Sequence, residues 1–292
     1  MSGDEAAPIL GGQTPLKLRK YEGRLNDEKF RHHVIAAIGE FLGTTLFLFF
    51  GFLSAQIINS KPDQISSNGP SLLQLLFVAA GFGVGGAVNV WLFYRVSGGH
   101  LNPAITIGLT LIGAVPVVRA AILVVVQLLS GILAALLVQA VTPGALNVQT
   151  TLGENTSLLQ GLIIEIILTA TLVLTVFLLA VEKHRTTPFA PLGIGLVLFL
   201  NVLLAAQYSG ASFNPARSFG PAIVQLDFVD YHWIYWIGPV LGAIGASVIY
   251  KILKFLNYET AVSGQDHDGL NVYRLIDDAD GREVDREIQL EV

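Results

Sequence analysis

The residues best placed to act on a small molecule come in two matched sets. Asn102-Pro103-Ala104 and Asn214-Pro215-Ala216 are copies of one tripeptide, each in a Gly-containing loop, and Arg217 follows the second copy. Proline is tolerated at the first helical position because it has no N-H to leave unpaired there, and an Asn before it caps the free amides with its side-chain oxygen. Both tripeptides therefore predict helix starts. Each opens an apolar run too short to cross a bilayer, and interrupted helices at membrane depth, one per half of a repeated chain, mark a pore or substrate site. One Asn-Pro alone reads as readily as a loop-ending cap; two in repeat register do not.

Two helix N-termini meeting inside a membrane bring roughly half a positive charge each, which repels cations and offers unpaired amides to polar, neutral guests. Asn102 and Asn214 are expected to cap with their oxygens and turn their NH2 groups to a lumen as two fixed donors. Cysteine is absent, which excludes disulfides, thiolate metal sites and cysteine nucleophiles. No cofactor, metal or covalent chemistry is expected. Glu40 and Glu165 are ionisable residues inside apolar runs and so count as functional candidates.

The elements that hold these residues follow from composition. Of 292 residues 52% are hydrophobic and 13% charged, with a mean hydropathy of +0.61. This places the chain in a lipid bilayer. Spans of roughly 20 apolar residues are needed to cross about 30 Å of hydrocarbon. Six runs qualify, at about 34–57, 72–94, 117–140, 158–182, 190–208 and 233–256, and two half-length runs lie at about 102–112 and 214–225. The expected organisation is an N-terminal arm (1–33), a channel domain (34–256, repeats at about 34–140 and 158–256) and an acidic tail (257–292). The arm is polar, without the apolar core of a cleaved signal peptide.

Gly39-Glu40-Phe41-Leu42-Gly43-Thr44 and Ile164-Glu165-Ile166-Ile167-Leu168-Thr169 open the two halves with the same Glu-x-x-x-Thr. Three spans per half force the copies into opposite orientations, so the repeat is inverted. Six spans put both ends of the channel domain on one side. All 17 lysines and arginines except Lys61 and Arg217 fall on that side, which the positive-inside rule makes cytoplasmic. Arg217 lies one turn into the second short helix. Glycines 81, 83, 85, 131, 193, 195, 242 and 245 read as close helix contacts. Nothing in the charge distribution favours nucleic acid as a partner.

Over residues 33–256 the chain resembles the aquaporin (major intrinsic protein) family, on Ser97-Gly98-Gly99-His100-Leu101-Asn102-Pro103-Ala104 and Ser209-Gly210-Ala211-Ser212-Phe213-Asn214-Pro215-Ala216-Arg217-Ser218-Phe219-Gly220-Pro221. The resemblance implies an all-α membrane protein: a right-handed bundle of six transmembrane helices and two half-helices, a pore in each protomer, and a homotetramer in the plasma membrane. It places an extracellular aromatic/arginine filter at Phe82, Val202, Ala211 and Arg217. It implies a ladder of carbonyl acceptors at Gly98, Gly99, His100, Gly210, Ala211 and Ser212, and loop bracing by Glu40, Gln127 and Glu165. His100 reads as a structural hydrogen-bond partner ahead of a titrating group.

Val202 departs from the His of strict water channels and Ala211 is small, so the filter is expected to be wider and less polar than a strict one. Gly86 adds room, while Phe47, Ile105, Leu172 and Leu198 read as core or lipid-facing positions. Ser218, where glycerol-conducting relatives usually have Asp, and the pair Tyr235-Trp236 resemble water-selective members. The expected function is an osmotically driven water channel. The alternative is a broader pore that also passes hydrogen peroxide or other small neutral solutes; a secondary transporter or a structural membrane protein are the rivals from other classes. By similarity to fungal water channels, whose long N-terminus can plug the pore with a tyrosine, Tyr21 is the expected gate.

Overall fold

A computed structural model describes residues 28–60, 71–262, 274–276 and 283–285; Tyr21 lies outside the described residues. Near-continuous apolar runs satisfy every backbone group internally only as helices when lipid surrounds them. Accordingly the chain forms α1 (Glu28–Asn59), α2 (Leu72–Phe93), α3 (Pro103–Leu111), α4 (Val117–Val141), α5 (Leu158–Val176), α6 (Ala190–Ala205), α7 (Pro215–Gln225) and α8 (Ile234–Phe255). Six of these are long and apolar enough to span; α3 and α7 are the half-length pair. Ser71 and Ser157 cap α2 and α5 in reciprocal capping boxes with Gln74 and Gln160.

Three boundaries depart from the sequence reading. The first helix begins at Glu28, six residues inside the expected arm. Near the end of the expected fourth span, Phe177–Val181 forms a π-helical turn, closed by Glu182 N-H on the Phe177 carbonyl at 3.0 Å. The fifth span ends at Ala205, four positions before Ser209. Outside the bundle, Arg274–Ile276 pairs antiparallel with Glu283–Asp285, a short ladder in the tail that the apolar pattern could not announce. The membrane bundle is helical throughout.

Packing follows the repeat. α1 packs on α4 as α5 packs on α8, α2 and α6 pack on each other, and the short helices exchange halves, α3 lying on α8 and α7 on α4. The exchange puts each half-helix inside the other repeat's frame. Leu46, Phe50, Val84, Trp91, Val125 and Leu129 stay exposed on the outer faces, where lipid would cover them.

Several glycines sit at close crossings. A Cβ on Gly131 would stand 2.3 Å from the Ala216 carbonyl oxygen, and one on Gly220 would stand 2.2 Å from the Gly131 oxygen, so α4 and α7 touch backbone to backbone. Gly245, by contrast, meets nothing within 4 Å and makes no crossing, which corrects its expected packing role.

Candidate functional site

Each half-helix begins as its tripeptide dictates. Asn102 caps α3, its Oδ1 accepting from Ala104 N at 2.8 Å, and Asn214 caps α7, its Oδ1 accepting from Ala216 N at 2.9 Å; Pro103 and Pro215 hold the first helical positions. The NH2 groups are not both wholly free for the lumen. Asn102 Nδ2 donates to the Phe213 carbonyl at 2.8 Å, and Asn214 Nδ2 donates to the Leu101 carbonyl at 3.0 Å. Each amide has two N-H groups, so one remains available on either residue.

Leu101 and Phe213, the residues just before the two Asn, have φ of +54° and +52°. This left-handed conformation is costly for residues with a Cβ and persists only where the surroundings over-determine it. The surroundings do so at both ends of each residue. Leu101 N-H donates to Glu40 Oε2 at 2.8 Å while its carbonyl takes Asn214; Phe213 N-H donates to Glu165 Oε2 at 2.7 Å while its carbonyl takes Asn102.

The carboxylates are the hubs. Glu40 also accepts from Ser97 Oγ, His100 N and Gln127 Nε2 at 2.7, 2.9 and 2.8 Å, and Glu165 also accepts from Ser209 Oγ and Ser212 N at 2.7 and 2.9 Å. Both are fully buried. Buried carboxylates persist only when their oxygens are satisfied, and here they are satisfied by the loops that present the tripeptides. Gln127 further bridges to Thr106, which meets His100 Nδ1 at 3.2 Å; Tyr235 donates to the Ser209 carbonyl at 2.9 Å.

Backbone amides so engaged leave the carbonyls turned elsewhere. Among the described residues no donor reaches the carbonyls of Gly98, Gly99, His100, Gly210, Ala211 or Ser212. Acceptors of this kind inside a protein require a guest with hydrogen to donate.

The guest's space is present. A narrow cavity of about 30 Å³ is lined by both Asn residues, His100 and Ser212 together with Phe82, Val202, Ala211 and Arg217. A second, of about 410 Å³, takes Gly98, Gly99, Tyr94 and Lys183 and shares Val90, His100, Ile105 and Ile194 with the first, so the two adjoin. Phe47, Ile105, Leu172, Leu198 and Gly86 line the central cavity too. The four large residues also belong to the buried hydrophobic core, as expected, and composition carried no sign that the same side chains meet a cavity.

Arg217 closes one end. It is 5% exposed, donates through Nη1 to the Val148 carbonyl at 2.7 Å, and lies over the rings of Phe82 and Phe52 at 5.3 and 5.5 Å. Its Nε is buried without a partner among the described residues. At the other end Lys183 Nζ donates to Tyr94 Oη and the Ala180 carbonyl, both at 2.6 Å, which satisfies the end of the π turn with a cation. Sequence reasoning missed Val148, Phe52, Tyr94 and Lys183 as parts of the site. Leu101 and Phe213 were also missed, though their shared register before Asn was a signal in plain view.

The family model described as Major intrinsic protein matches residues 27–250, which takes in both half-helices and their loops. The chain belongs to the major intrinsic protein family. Aquaporins of this family are channels, not enzymes. The chain is 49% identical over 242 residues to Aquaporin-7 of Botryotinia fuckeliana, covering 82% of this chain but 53% of that protein, so it spans about half of that relative's length. It is 45% identical over 267 residues to Probable aquaporin-3 of Gibberella zeae, covering 90% and 93%. Among solved structures, an aquaglyceroporin from Plasmodium falciparum superposes with a TM-score of 0.66 at 21% identity, covering 79% of this chain and all of that one. At that identity the likeness speaks for the major intrinsic protein fold alone. No cluster of three or more His, Cys, Asp or Glu suited to a metal occurs among the described residues.

Proposed function

We propose that the chain is a passive water channel driven by osmotic gradients, which excludes ions and protons. The observation that carries this reading is the pair of adjoining cavities, where unpaired carbonyls of both loops accompany two half-helix N-termini and their Asn donors. Acceptors on either side of fixed central donors suit a file of water, whose molecules reverse orientation where the helix dipoles meet. A cation meets the same dipoles and then Arg217, and no carboxylate is among the residues lining the central cavity.

Phe82, Val202, Ala211 and Arg217 form the proposed filter; all four line the central cavity, and the Arg217 guanidinium lies 5.3 Å from the Phe82 ring. Hydrogen peroxide is the second reading, favoured by Val202 and Gly86, which line that cavity without a polar group to demand water alone. A secondary transporter is disfavoured because Arg217 is held by a backbone carbonyl and two aromatic rings, with no carboxylate among the residues lining the central cavity to pair with it. We further propose that both termini are cytoplasmic, on the lysine and arginine asymmetry, and that the protein is a homotetramer, on the family resemblance. The Tyr21 gate is retained as a proposal on sequence similarity only.

Proteoliposomes challenged in parallel with water, hydrogen peroxide and glycerol gradients test the reading. Water entry well above that of empty liposomes, with glycerol entry unchanged, is expected. Glycerol passing as fast as water would replace the proposal with a broad solute channel.

A further inference from the structure

The connection between α4 and α5 is more than a link. Residues 146, 148 and 150 are buried while 147 is exposed and 149 half-buried, so this stretch runs as an extended strap with alternate side chains facing in. It crosses directly above the second loop. A Cβ on Gly210 would lie 2.8 Å from both the N and O of Thr151, so only glycine lets the strap pass there, one residue before Ala211. Two successive residues of α7 grip two alternate residues of the strap: Arg217 takes the Val148 carbonyl, and Ser218 Oγ accepts from Thr150 Oγ1 at 2.7 Å.

The hydroxyls beyond Thr150 form a connected chain. Ser218 Oγ meets Ser212 Oγ at 2.5 Å, either hydroxyl being able to donate, and Ser212 Oγ lies 3.2 Å from the Asn214 carbonyl oxygen. Every link is buried, and the chain runs from the strap to the cap residue of α7.

We propose that Thr150 is a positioning residue for solute selection. Through Ser218 and Ser212 it fixes the strap over the filter loop, so that the Val148 oxygen holds Arg217, and the strap holds Ala211, at a single separation that rejects three-carbon polyols. The inference rests on the channel reading above. It differs from a purely stabilising role in what it moves: selectivity, not folding.

The test compares wild type with Thr150→Val, which keeps the shape and removes the hydroxyl, and Thr150→Ser, which restores it. Each is reconstituted in liposomes, normalised to protein, and assayed for water and glycerol permeability. Thr150→Val is expected to keep water permeability within about twofold while raising the glycerol-to-water ratio about three- to tenfold, the effect of one lost hydrogen bond on a barrier. Thr150→Ser should return to the wild-type ratio. If Thr150→Val fails to reconstitute, Ser218→Ala breaks the same link from the other side and should give the same shift. An unchanged ratio in the variant that reconstitutes, beside a wild type that conducts water, overturns this inference alone. A wild type no more water-permeable than empty liposomes overturns the channel reading and this inference with it.

Discussion

Asn102 and Asn214 are tied into each other's loops: each caps its own half-helix through Oδ1 and donates through Nδ2 to the carbonyl that precedes the other. The two halves of the repeat are thereby locked at their meeting point. Replacing Asn214 by Asp keeps the cap but removes the donor and sets a carboxylate against the Leu101 oxygen. The expected outcome is loss of most water permeability and a lower melting temperature, by about 1–3 kcal/mol for a buried acceptor stripped of its donor. Asn102→Asp should do the same against Phe213. Scanning fluorimetry and osmotic shrinkage of the same preparation check both effects.

The two buried carboxylates should differ in cost. Glu40 accepts four hydrogen bonds and Glu165 three, by the donors named above. A Gln at either position turns an NH2 against backbone N-H groups, and Glu40→Gln also faces the Gln127 amide. Both variants should lose stability, by about 2–4 kcal/mol, with Glu40→Gln the worse. Thermal melting in detergent measures the difference; equal melting of wild type and variants would contradict the bracing role.

Gly131 and Gly245 offer a matched contrast. Gly131→Ala drives a methyl against the Ala216 carbonyl at the start of α7 and should cost about 1–3 kcal/mol, with a displaced half-helix and reduced conduction. Gly245→Ala meets open space and gains helix propensity, so its stability should stay level or rise by up to about 1 kcal/mol. Melting curves of the two variants, compared with wild type, decide it.

Acid should loosen the end of the molecule that carries Arg217. His232, between α7 and α8, is 9% exposed, lies edge-on to Phe228 and Tyr235, and has an Nε2 without a partner among the described residues. Burial holds its pKa below the ordinary value of 6.5. The folded protein therefore binds this proton less readily than the unfolded chain. The stability contributed by the neutral ring is complete above the ordinary value and declines as pH falls through it toward the lower folded pKa. His232→Phe should flatten that acid limb of a melting-temperature profile taken between about pH 5 and pH 8; an identical slope in both proteins would remove His232 from the account.

Much of this architecture was legible in the chain because its signals are local. Span lengths, the caps at Asn102 and Asn214, and the repeat of Glu40 in Glu165 are each read within a few residues. What was not legible depends on partners far apart in sequence. The Asn102–Phe213 and Asn214–Leu101 bonds join residues more than a hundred positions apart, and Val148 enters the site only through a main-chain oxygen, which every residue type possesses. Phe47, Ile105, Leu172 and Leu198 are apolar whether they meet lipid, core or lumen, so hydrophobicity alone gave their burial but not their place on the cavity wall. The π turn at Phe177–Val181 preserves an apolar, helical pattern and differs only in which carbonyl each amide finds.

The central claim is tested most directly by stopped-flow shrinkage of proteoliposomes carrying the purified protein, measured over a range of temperatures. A water-filled lumen predicts faster shrinkage than in empty liposomes and a shallower temperature dependence, because water no longer has to dissolve in hydrocarbon. Shrinkage at the rate and with the temperature dependence of protein-free liposomes would contradict the account.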